Sequence, residues 1–410
     1  MFAQGLHCVK CGRLYPLGTL FTCECGGCLN VDYDYEKLAN IINKESIGRG
    51  RHLIERYKWF LPVEDSDKAI SLEEGDTPLI KCKRLGSVLG LENLYIKDET
   101  RNPTGSFKDR AITVGITFAL QRGYRKVITA STGNAAASLS AYSAKAGVDC
   151  LVLIPGEASI SKLAQILLYG ATIMQVRGTV DAALNLLRVA FEELGWYPIP
   201  TSTPFNPYQV EGNKTIAYEI CQQNNWLPPD YVIFPVGGGD CIFANWKGFQ
   251  ELYKLGFIDR LPSIIGVQAA GCNPVVKAYR EELEDIKPIK FAKTIASSIL
   301  VSYPPTGLLA LRAIRQSMGI ALDVTDEEIL SAQRLLGRTE GIFAEPASAT
   351  TIAALKKLIE NGEVDKNDYV VCVITGTGLK QTEAISSLLE KIKIIEPTAE
   401  ALKKALYRLQ

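Results

Sequence analysis

One lysine of this 410-residue chain lies in a setting that could make its amine reactive. Lys108 follows Phe107 and a Pro-Thr-Gly turn at 103–105, and it precedes the apolar periodicity of a predicted helix. A lysine that is partly desolvated at such a junction can lose its proton near neutral pH and act as a Schiff-base amine. An ordinary surface lysine at a helix start is the alternative interpretation. The loops that follow decide between the two.

Three loops predicted to join a strand to a helix could hold a ligand beside this amine, because ligands of open α/β sheets bind at strand ends. The loop 131–135 suits a carboxylate, and its Asn134 could donate to a phenolic oxygen. The glycines of 237–241 allow a nest around a phosphate, although a tight turn alone can require glycine. In 375–380, the Thr375 hydroxyl could hydrogen-bond a ring nitrogen without charging it. Together with the amine, these groups predict a receptor for pyridoxal phosphate and an amino acid.

Composition excludes several other classes of protein. Lys and Arg number 45, as do Asp and Glu, so no basic face for nucleic acid or anionic lipid is expected. No apolar run approaches the ~18 residues of a membrane helix, and the chain is predicted to be soluble and cytoplasmic. The two histidines, His7 and His52, precede Lys108. Unless His52 folds back, proton transfer in the main body falls to Lys, carboxylates, Tyr or a cofactor.

A cluster of cysteines near the N-terminus is typical of a zinc ribbon, in which two tight turns present four thiolates tetrahedrally. Three ligands are expected to be Cys8, Cys11 and Cys25, and the fourth to be Cys28, with Cys23 as its alternative. Such a closed site would be structural. A cysteine-rich hairpin without metal is the other interpretation.

Beyond residue 46, short β-branched runs alternate with helical patterns, which predicts an α/β fold with parallel sheets covered on both faces by helices. The irregular stretch 201–209 separates two such blocks. Predicted strands cover 126–130, 150–155, 172–176, 231–236, 264–268 and 369–375. Predicted helices cover 135–146, 161–169, 180–194, 211–224 and a segment from about 242.

In these motifs the chain resembles the fold-type II pyridoxal-phosphate enzymes, and among them the threonine synthase family. The resemblance is carried, in order, by 54–57, 72–79, 102–110, 131–135, 210–215, 266–271, 340–348 and 375–380. It implies a two-domain fold like that of the tryptophan synthase β subunit. The expected parts are a zinc-ribbon-like extension at 1–45, a large cofactor domain at 46–106 and 205–395, a small mobile domain at 107–204 and a C-terminal helix at 396–410.

The resemblance also implies a role for each residue of the site. Lys108 would form the Schiff base, with Phe107 against the ring, Asn134 at the phenolate oxygen and Thr375 at the ring nitrogen. The residues expected around the cofactor phosphate are Gly237, Gly238, Gly239, Asp240 and Cys241. Those expected beside the substrate carboxylate are Ser131, Thr132 and Ala135.

The implied activity is that of a lyase or synthase that eliminates or replaces a substituent at the β or γ carbon of an amino acid. Conversion of phosphohomoserine to threonine, or a related reaction, is the first expectation. The alternatives are a serine/threonine dehydratase and a β-replacement enzyme similar to cysteate synthase. A degenerate amino-acid sensor, or an interaction module displayed through the ribbon, is the non-enzymatic alternative. Retention of Lys108, Asn134 and Thr375 disfavours it. The expected partners are an amino-acid substrate and a second copy of the chain, with neither nucleic acid nor membrane.

The chain departs from the family pattern at the substrate side. Gln209, which is also expected among the substrate residues, stands where the family has an arginine for the substrate phosphate. A charge-assisted contact of the kind that arginine makes is worth ~1.5–3 kcal/mol. Asp240 stands in the phosphate loop, either as an N-cap turned toward its own helix, which is favoured, or as a group that orders water or fixes Lys214. Segments 294–299 and 303–307 do not match the family segment that closes over the substrate.

Overall fold

The computed structural model describes residues 1–131, 133–155, 160–177, 180–391 and 394–407. Its strands are β1 Ala3–Cys8, β2 Leu14–Tyr15, β3 Leu29–Tyr33, β4 Leu79–Lys81, β5 Asn93–Asp98, β6 Lys126–Ala130, β7 Asp149–Pro155, β8 Thr172–Val176, β9 Tyr197–Pro198, β10 Tyr231–Pro235, β11 Ser263–Ala269, β12 Ala321–Val324 and β13 Tyr369–Ile374. Its helices are α1 Tyr35–Ala39, α2 Leu53–Arg56, α3 Lys83–Leu89, α4 Lys108–Gln121, α5 Asn134–Ala146, α6 Ile160–Leu168, α7 Val180–Leu194, α8 Pro207–Val210, α9 Thr215–Gln223, α10 Asp240–Lys254, α11 Pro274–Arg280, α12 Gly307–Gln316, α13 Asp326–Glu340, α14 Pro346–Glu360 and α15 Ala399–Tyr407.

The larger sheet has six strands in the order β12-β11-β10-β13-β5-β4. Its neighbouring strands are parallel, apart from the antiparallel pair β4 and β5. Every residue of β13 is buried, as a strand covered on both faces requires, and its sequence is accordingly a continuous apolar run rather than an alternating one. In its register with β5, Tyr369 lies opposite Asn93 and Ile374 opposite Asp98.

The smaller sheet has four parallel strands in the order β8-β7-β6-β9. Helices α5 and α7 pack against β6 and β7, and α4 packs against α5. The strands of this sheet all fall within 107–204, and those of the larger sheet fall within 46–106 and 205–395. The parallel α/β fold is therefore confirmed, while the exact domain boundaries stay a prediction.

A buried ionic cluster fixes the first turn of α4. The Arg110 guanidinium donates to Glu99 at 2.7 and 2.8 Å and to both carboxylate oxygens of Glu219 at 2.7 Å. Lys97 Nζ donates to Glu219 Oε2 at 2.6 Å. Burial raises the pKa of Glu219, but the charges of Arg110 and Lys97 outweigh it and hold that pKa below its usual value. The cluster ties β5 and α9 to the helix that begins at Lys108.

The N-terminal extension forms a three-stranded antiparallel sheet in the order β2-β1-β3 and is bonded to the main body. Lys247 Nζ donates to Val31 O at 2.7 Å and to Asn30 Oδ1 at 3.0 Å. Tyr208 Oη accepts from Gly18 N at 2.7 Å and donates to Thr19 O at 3.0 Å. These contacts involve buried polar groups of the main body, so the extension completes their hydrogen bonding.

Most predicted elements agree with the structure, and the main difference lies after residue 210. The helix predicted over 211–224 begins only at Thr215, because residues 211–214 are turns. A Cβ on Gly212 would lie 1.8 Å from Arg110 O, so the chain passes α4 at a distance that only glycine allows. The predicted C-terminal helix spans Ala399–Tyr407, and 408–410 lie outside the described residues. Among the described helices, none is both long and apolar enough to cross a bilayer.

Candidate active site

A cavity of about 650 Å³ lies where β6, β10 and β13 end and α4, α5 and α10 begin. It is large enough for a cofactor and a small substrate. The structure brings most predicted site residues to its wall, namely Phe107, Lys108, Ser131, Asn134, Ala135, Gly237, Gly238, Gly239, Asp240, Cys241 and Thr375. Thr132 lies outside the described residues. Gln209 is not among the lining residues.

Lys108 is half-buried at the first residue of α4, and it lines the cavity. Its Nζ donates to Thr201 Oγ1 at 3.1 Å and lies 4.6 Å from the centre of the Phe107 ring. Burial lowers the pKa of Lys108, although the charge of Asp240 opposes that shift. A larger fraction of this amine is therefore neutral and nucleophilic than for a solvated lysine.

The glycine loop between β10 and α10 offers backbone donors to the cavity. Within the described part of the protein, the N–H groups of Gly237, Gly238 and Gly239 donate to no backbone carbonyl. Gly239 has φ of +100°, and a Cβ there would lie 2.6 Å from Thr306 O, so no other residue fits. Convergent N–H groups at a helix N-terminus form an anion site. Burial raises the pKa of the Cys241 thiol to about 12, so this side chain is a neutral neighbour of the site.

Asp240 neither caps its helix nor binds Lys214, so these two interpretations of the residue are wrong, while the ordering of water stays a prediction. It is the first residue of α10, Gly239 occupies the N-cap position, and no side-chain capping bond forms. Asp240 Oδ1 instead accepts from Thr203 N at 2.7 Å, from Thr203 Oγ1 at 2.5 Å and from Thr306 Oγ1 at 2.9 Å. Lys214 is held by Glu211 at 2.6 Å and by Glu251 at 2.9 Å. Asp240 therefore links the loop that contains Thr203 to the loop that contains Thr306, beside the glycine loop.

Thr375 presents a neutral hydroxyl at the end of β13. Its Oγ1 lies 2.9 Å from Ser348 Oγ, which also accepts from Gly376 N at 2.9 Å. Thr375 is 4% exposed, and Ser348 is fully buried. The backbone and a second hydroxyl thus fix the position of this group, and neither can place a charge on a ligand atom.

Gln209 does not reach the cavity as a substrate ligand. Its side chain is fully buried, and Oε1 accepts from Thr201 N at 3.0 Å while Nε2 donates to Ser202 O at 3.5 Å. The amide thus supports the backbone of the residue that contacts Lys108. Its inclusion among the substrate residues is a prediction that this geometry argues against.

Several residues of the cavity wall were given no role from the sequence. Glu345, at the N-cap position of α14, is 3% exposed and accepts from Ser298 Oγ at 2.9 Å. Residues 297–303 form one side of the cavity, and they include parts of both segments that do not match the family pattern. Its position in the 340–348 motif is the sequence feature from which a role for Glu345 could have been predicted. Among the described lining residues, Lys108 is the one cation, opposed by the carboxylates of Asp240 and Glu345.

The cysteine cluster contains Cys23 rather than Cys28. The Sγ atoms of Cys8, Cys11, Cys23 and Cys25 all lie within 4.8 Å of one another. A Cβ on Gly27 would lie 2.5 Å from Cys8 Sγ, so the second turn needs glycine to approach the sulfurs. Cys28 follows that turn and precedes β3, outside the cluster. The geometry thus favours the stated alternative, Cys23, over Cys28, and the identity of the metal ligands stays a prediction.

Comparisons with known proteins agree with this geometry. Residues 70–376 match the family described as "Pyridoxal-phosphate dependent enzyme". The threonine synthase of Methanocaldococcus jannaschii is 47% identical over 405 residues, which cover 98% of this chain and 99% of that protein. The threonine synthase of Methanosarcina acetivorans is 41% identical, with 98% of each chain covered. The processed form of threonine deaminase isoform 2 from Solanum lycopersicum has a TM-score of 0.66 at 23% identity, covering 86% of this chain and 97% of that chain, and shows the likeness of the fold.

Proposed function

The chain belongs to the family of pyridoxal-phosphate-dependent enzymes, and from that premise we propose that it is a threonine synthase that acts on phosphohomoserine. The observation that carries the proposal is one cavity that joins the Lys108 amine, the donors of the glycine loop and the neutral Thr375 hydroxyl. The identity with threonine synthases over almost the full chain supports the choice of substrate.

The residues present fit pyridoxal phosphate. The N–H groups of Gly237 to Gly239 have no backbone partner within the described structure and suit its phosphate. Asn134 lies on the wall at the start of α5, where its amide can donate to the phenolate oxygen, and Thr375 can meet the ring nitrogen. When bound, the cofactor supplies an aldehyde for Lys108 and an electron sink for the substrate.

Lys108 carries the proton transfers in this proposal. Its Nζ would hold the cofactor through the aldehyde, and the free amine would act as acid and base at the carbons of the substrate. Thr201 Oγ1, which lies 3.1 Å from Nζ, keeps this amine beside the cavity. Because burial lowers its pKa, the amine can accept the α-proton and return it at a neighbouring carbon.

The start of α5 is the proposed binding position for the substrate carboxylate. Ser131 and Ala135 line the cavity there, and Gly133 N donates to Ser131 Oγ at 3.3 Å. The positive end of the helix dipole favours an anion at this place. Thr132 is proposed to contribute to the same binding position for the carboxylate.

One observation favours a second candidate, a serine/threonine dehydratase. Lys108 is the one cation among the described lining residues, and a neutral hydroxyl leaving group needs no further cation. The two activities are separated by incubating the holoenzyme with phosphohomoserine, threonine and serine while phosphate, ammonia and 2-oxo acids are assayed. Release of phosphate together with threonine from phosphohomoserine supports the synthase. Release of ammonia and 2-oxo acid from threonine or serine, with phosphohomoserine left unchanged, overturns it.

The charge of Asp240 is expected to weaken binding of the cofactor, because the carboxylate stands beside the loop that receives a phosphate dianion. Asp240→Asn keeps an oxygen that can accept from Thr203 and Thr306 while it removes the charge. We expect its Kd for pyridoxal phosphate to fall by roughly tenfold. Fluorescence titration of the apoprotein measures this change. The exposed Asp259→Asn serves as the control, and an unchanged or higher Kd in a folded D240N protein contradicts the prediction.

We propose that the cysteine cluster holds a structural zinc ion. A tetrahedral Zn–S₄ site with bonds of about 2.3 Å has sulfur–sulfur separations of about 3.8 Å. The separations of 3.4 Å between Cys8 and Cys25 and of 3.6 Å between Cys11 and Cys23 are close to that value. Four thiolates leave no coordination position for substrate, so the proposed ion supports the fold of the extension.

Replacing single cysteines tests the assignment of the fourth ligand. Cys23→Ser is expected to lose most bound zinc, since three sulfurs leave the site open, and to lower the melting temperature. Cys28→Ser is the matched control and is expected to keep one zinc per chain. Elemental analysis of the purified proteins measures the metal directly. Full zinc content in C23S with loss in C28S would reverse the assignment.

Assembly and location complete the proposal. We expect a cytoplasmic homodimer, as the resemblance implies. Sedimentation equilibrium of the holoenzyme measures the mass of the assembly, and a monomer at micromolar concentration contradicts the expectation.

A further inference from the structure

The Asn134 amide lies between two charges of opposite sign. Lys380 Nζ donates to Asn134 Oδ1 at 3.0 Å. On the other side, Asn134 Nδ2 faces Glu345 Oε1 at 3.3 Å and Oε2 at 3.2 Å. An ammonium group can only donate and an ionised carboxylate can only accept. The two neighbours therefore specify the same orientation of the amide, with its nitrogen toward Glu345.

We propose that Lys380 is a positioning residue that, together with Glu345, orients and polarises the Asn134 amide so that an N–H is presented to the phenolate oxygen of the bound cofactor. The inference deepens the proposed function and rests on the role given there to Asn134. The amide nitrogen carries two hydrogens, of which one can meet Glu345 and the other the cofactor. A cation on the amide oxygen strengthens both N–H donors.

The loop that carries Lys380 is fixed to the elements around the site. Thr377 N donates to Gly105 O at 3.0 Å, in the turn before Lys108, and Gly378 N donates to Phe343 O at 2.8 Å. Gly105 has φ of +76°, and a Cβ there would lie 2.7 Å from the Thr377 side chain, so the two loops pack without space for a larger residue. Lys380 therefore approaches Asn134 from a position set by the backbone.

The charged groups around Lys380 bear on the contact between its ammonium group and the Asn134 amide. Burial lowers the pKa of Lys380, while the acids Asp109 and Glu345 oppose the shift. Asp109 is already bonded to Thr104 and to Ser138 Oγ, at 2.6 and 2.5 Å from its Oδ1. The hydrogen bond of Lys380 in the described structure goes to the amide oxygen rather than to either acid. The cation thus offsets two carboxylates and holds the amide at the same time.

Among the described residues, removal of Lys380 leaves the Asn134 amide in contact with one charged group, the carboxylate of Glu345. The amide can then rotate, and its carbonyl oxygen can face the phenolate, where the interaction is repulsive. The N–H donor of Asn134 stabilises the phenolate oxygen most when the chromophore is deprotonated. Loss of this donor therefore favours the protonated chromophore and raises the pKa of the chromophore.

The test is an absorbance titration of the holoenzyme, which reports the pKa of the bound chromophore without turnover. Lys380→Met is expected to raise that pKa by about one unit, as is Asn134→Ala. Lys380→Arg keeps a cationic donor and is expected to restore the pKa to near its original value. If K380M yields no folded holoenzyme, Lys380→Gln takes its place, with the same direction of shift expected.

The double variant distinguishes positioning from a general effect of charge. If Lys380 acts through the amide, K380M should shift the pKa little once Asn134 is already alanine. An undiminished shift in the double variant, or no shift in K380M alone, overturns the inference. Because the readout needs only bound cofactor, a holoenzyme that shows the expected shifts but leaves phosphohomoserine unchanged refutes the proposed substrate and not the role of Lys380.

Discussion

Lys108→Ala is expected to abolish turnover, with kcat lower by on the order of 10³- to 10⁴-fold or more, because the amine both binds the cofactor and moves the α-proton. The purified variant should also lose the absorbance of covalently bound cofactor. Steady-state kinetics and absorbance spectra measure the two effects. Added small amines should restore part of the activity, since the cavity of about 650 Å³ remains open to them.

The control is Lys145→Ala, which removes an exposed lysine near the end of α5 and should leave both measurements unchanged. Melting temperatures of the apoproteins show whether either change disturbs the fold. Borohydride reduction of the original holoenzyme, followed by peptide mass spectrometry, should place the cofactor on the peptide that contains Lys108. A modified lysine elsewhere contradicts the assignment.

Arg110→Ala is expected to lower the free energy of unfolding by about 3–5 kcal/mol, because it leaves the carboxylates of Glu99 and Glu219 buried with one fewer cation. Both carboxylates are at most 2% exposed, so water cannot replace the guanidinium. Urea denaturation of the apoprotein measures the loss. A decrease below about 1 kcal/mol would mean that the cluster reorganises around Lys97.

The surface pair Lys356–Glu360 provides the matched control. Its charges are 3.8 Å apart and each side chain is 60% exposed, so Lys356→Ala is expected to change the free energy of unfolding by less than about 0.5 kcal/mol. The pH dependence gives a second check. The lowered pKa of Glu219 means that its contribution is present above its unfolded pKa, about 4.5, and is lost as the pH falls further. R110A should show a weaker loss of stability over that acid range.

Local patterns of the sequence were sufficient for the elements and for most of the cavity wall. The strands over 126–130 and 172–176 have the predicted bounds, because runs of β-branched and apolar residues mark a strand within a few positions. This holds for the largely buried first strand and for the second, an edge strand without a buried residue. Phe107, Lys108 and the glycine loop were found because each stands at a junction between two elements. Since parallel strands end at one edge of a sheet, such junctions meet in space.

The sequence could not show which distant groups share a hydrogen bond. Asp240 meets Thr203 and Thr306, which are 37 and 66 positions away, and Glu345 meets Asn134 across 211 positions. Local reasoning assigned the Asp240 carboxylate to its own helix because capping is the usual use of Asp there. In the cysteine cluster, spacing favoured Cys28, whereas the turn at Gly27 directs Cys23 to the other sulfurs.

The bonds between the N-terminal sheet and the main body have a practical consequence for anyone who wishes to shorten the protein. Lys247 donates hydrogen bonds to Asn30 and Val31. Tyr208 is hydrogen-bonded to Gly18 and Thr19. A truncation that starts at residue 46 would remove those partners. The Lys247 amine, the Tyr208 phenol and the apolar surface that the extension covers would then be exposed to solvent. The extension is thus better regarded as an inseparable piece of the enzyme than as a removable tag, and a trimmed version should be handled as a destabilised protein prone to aggregate.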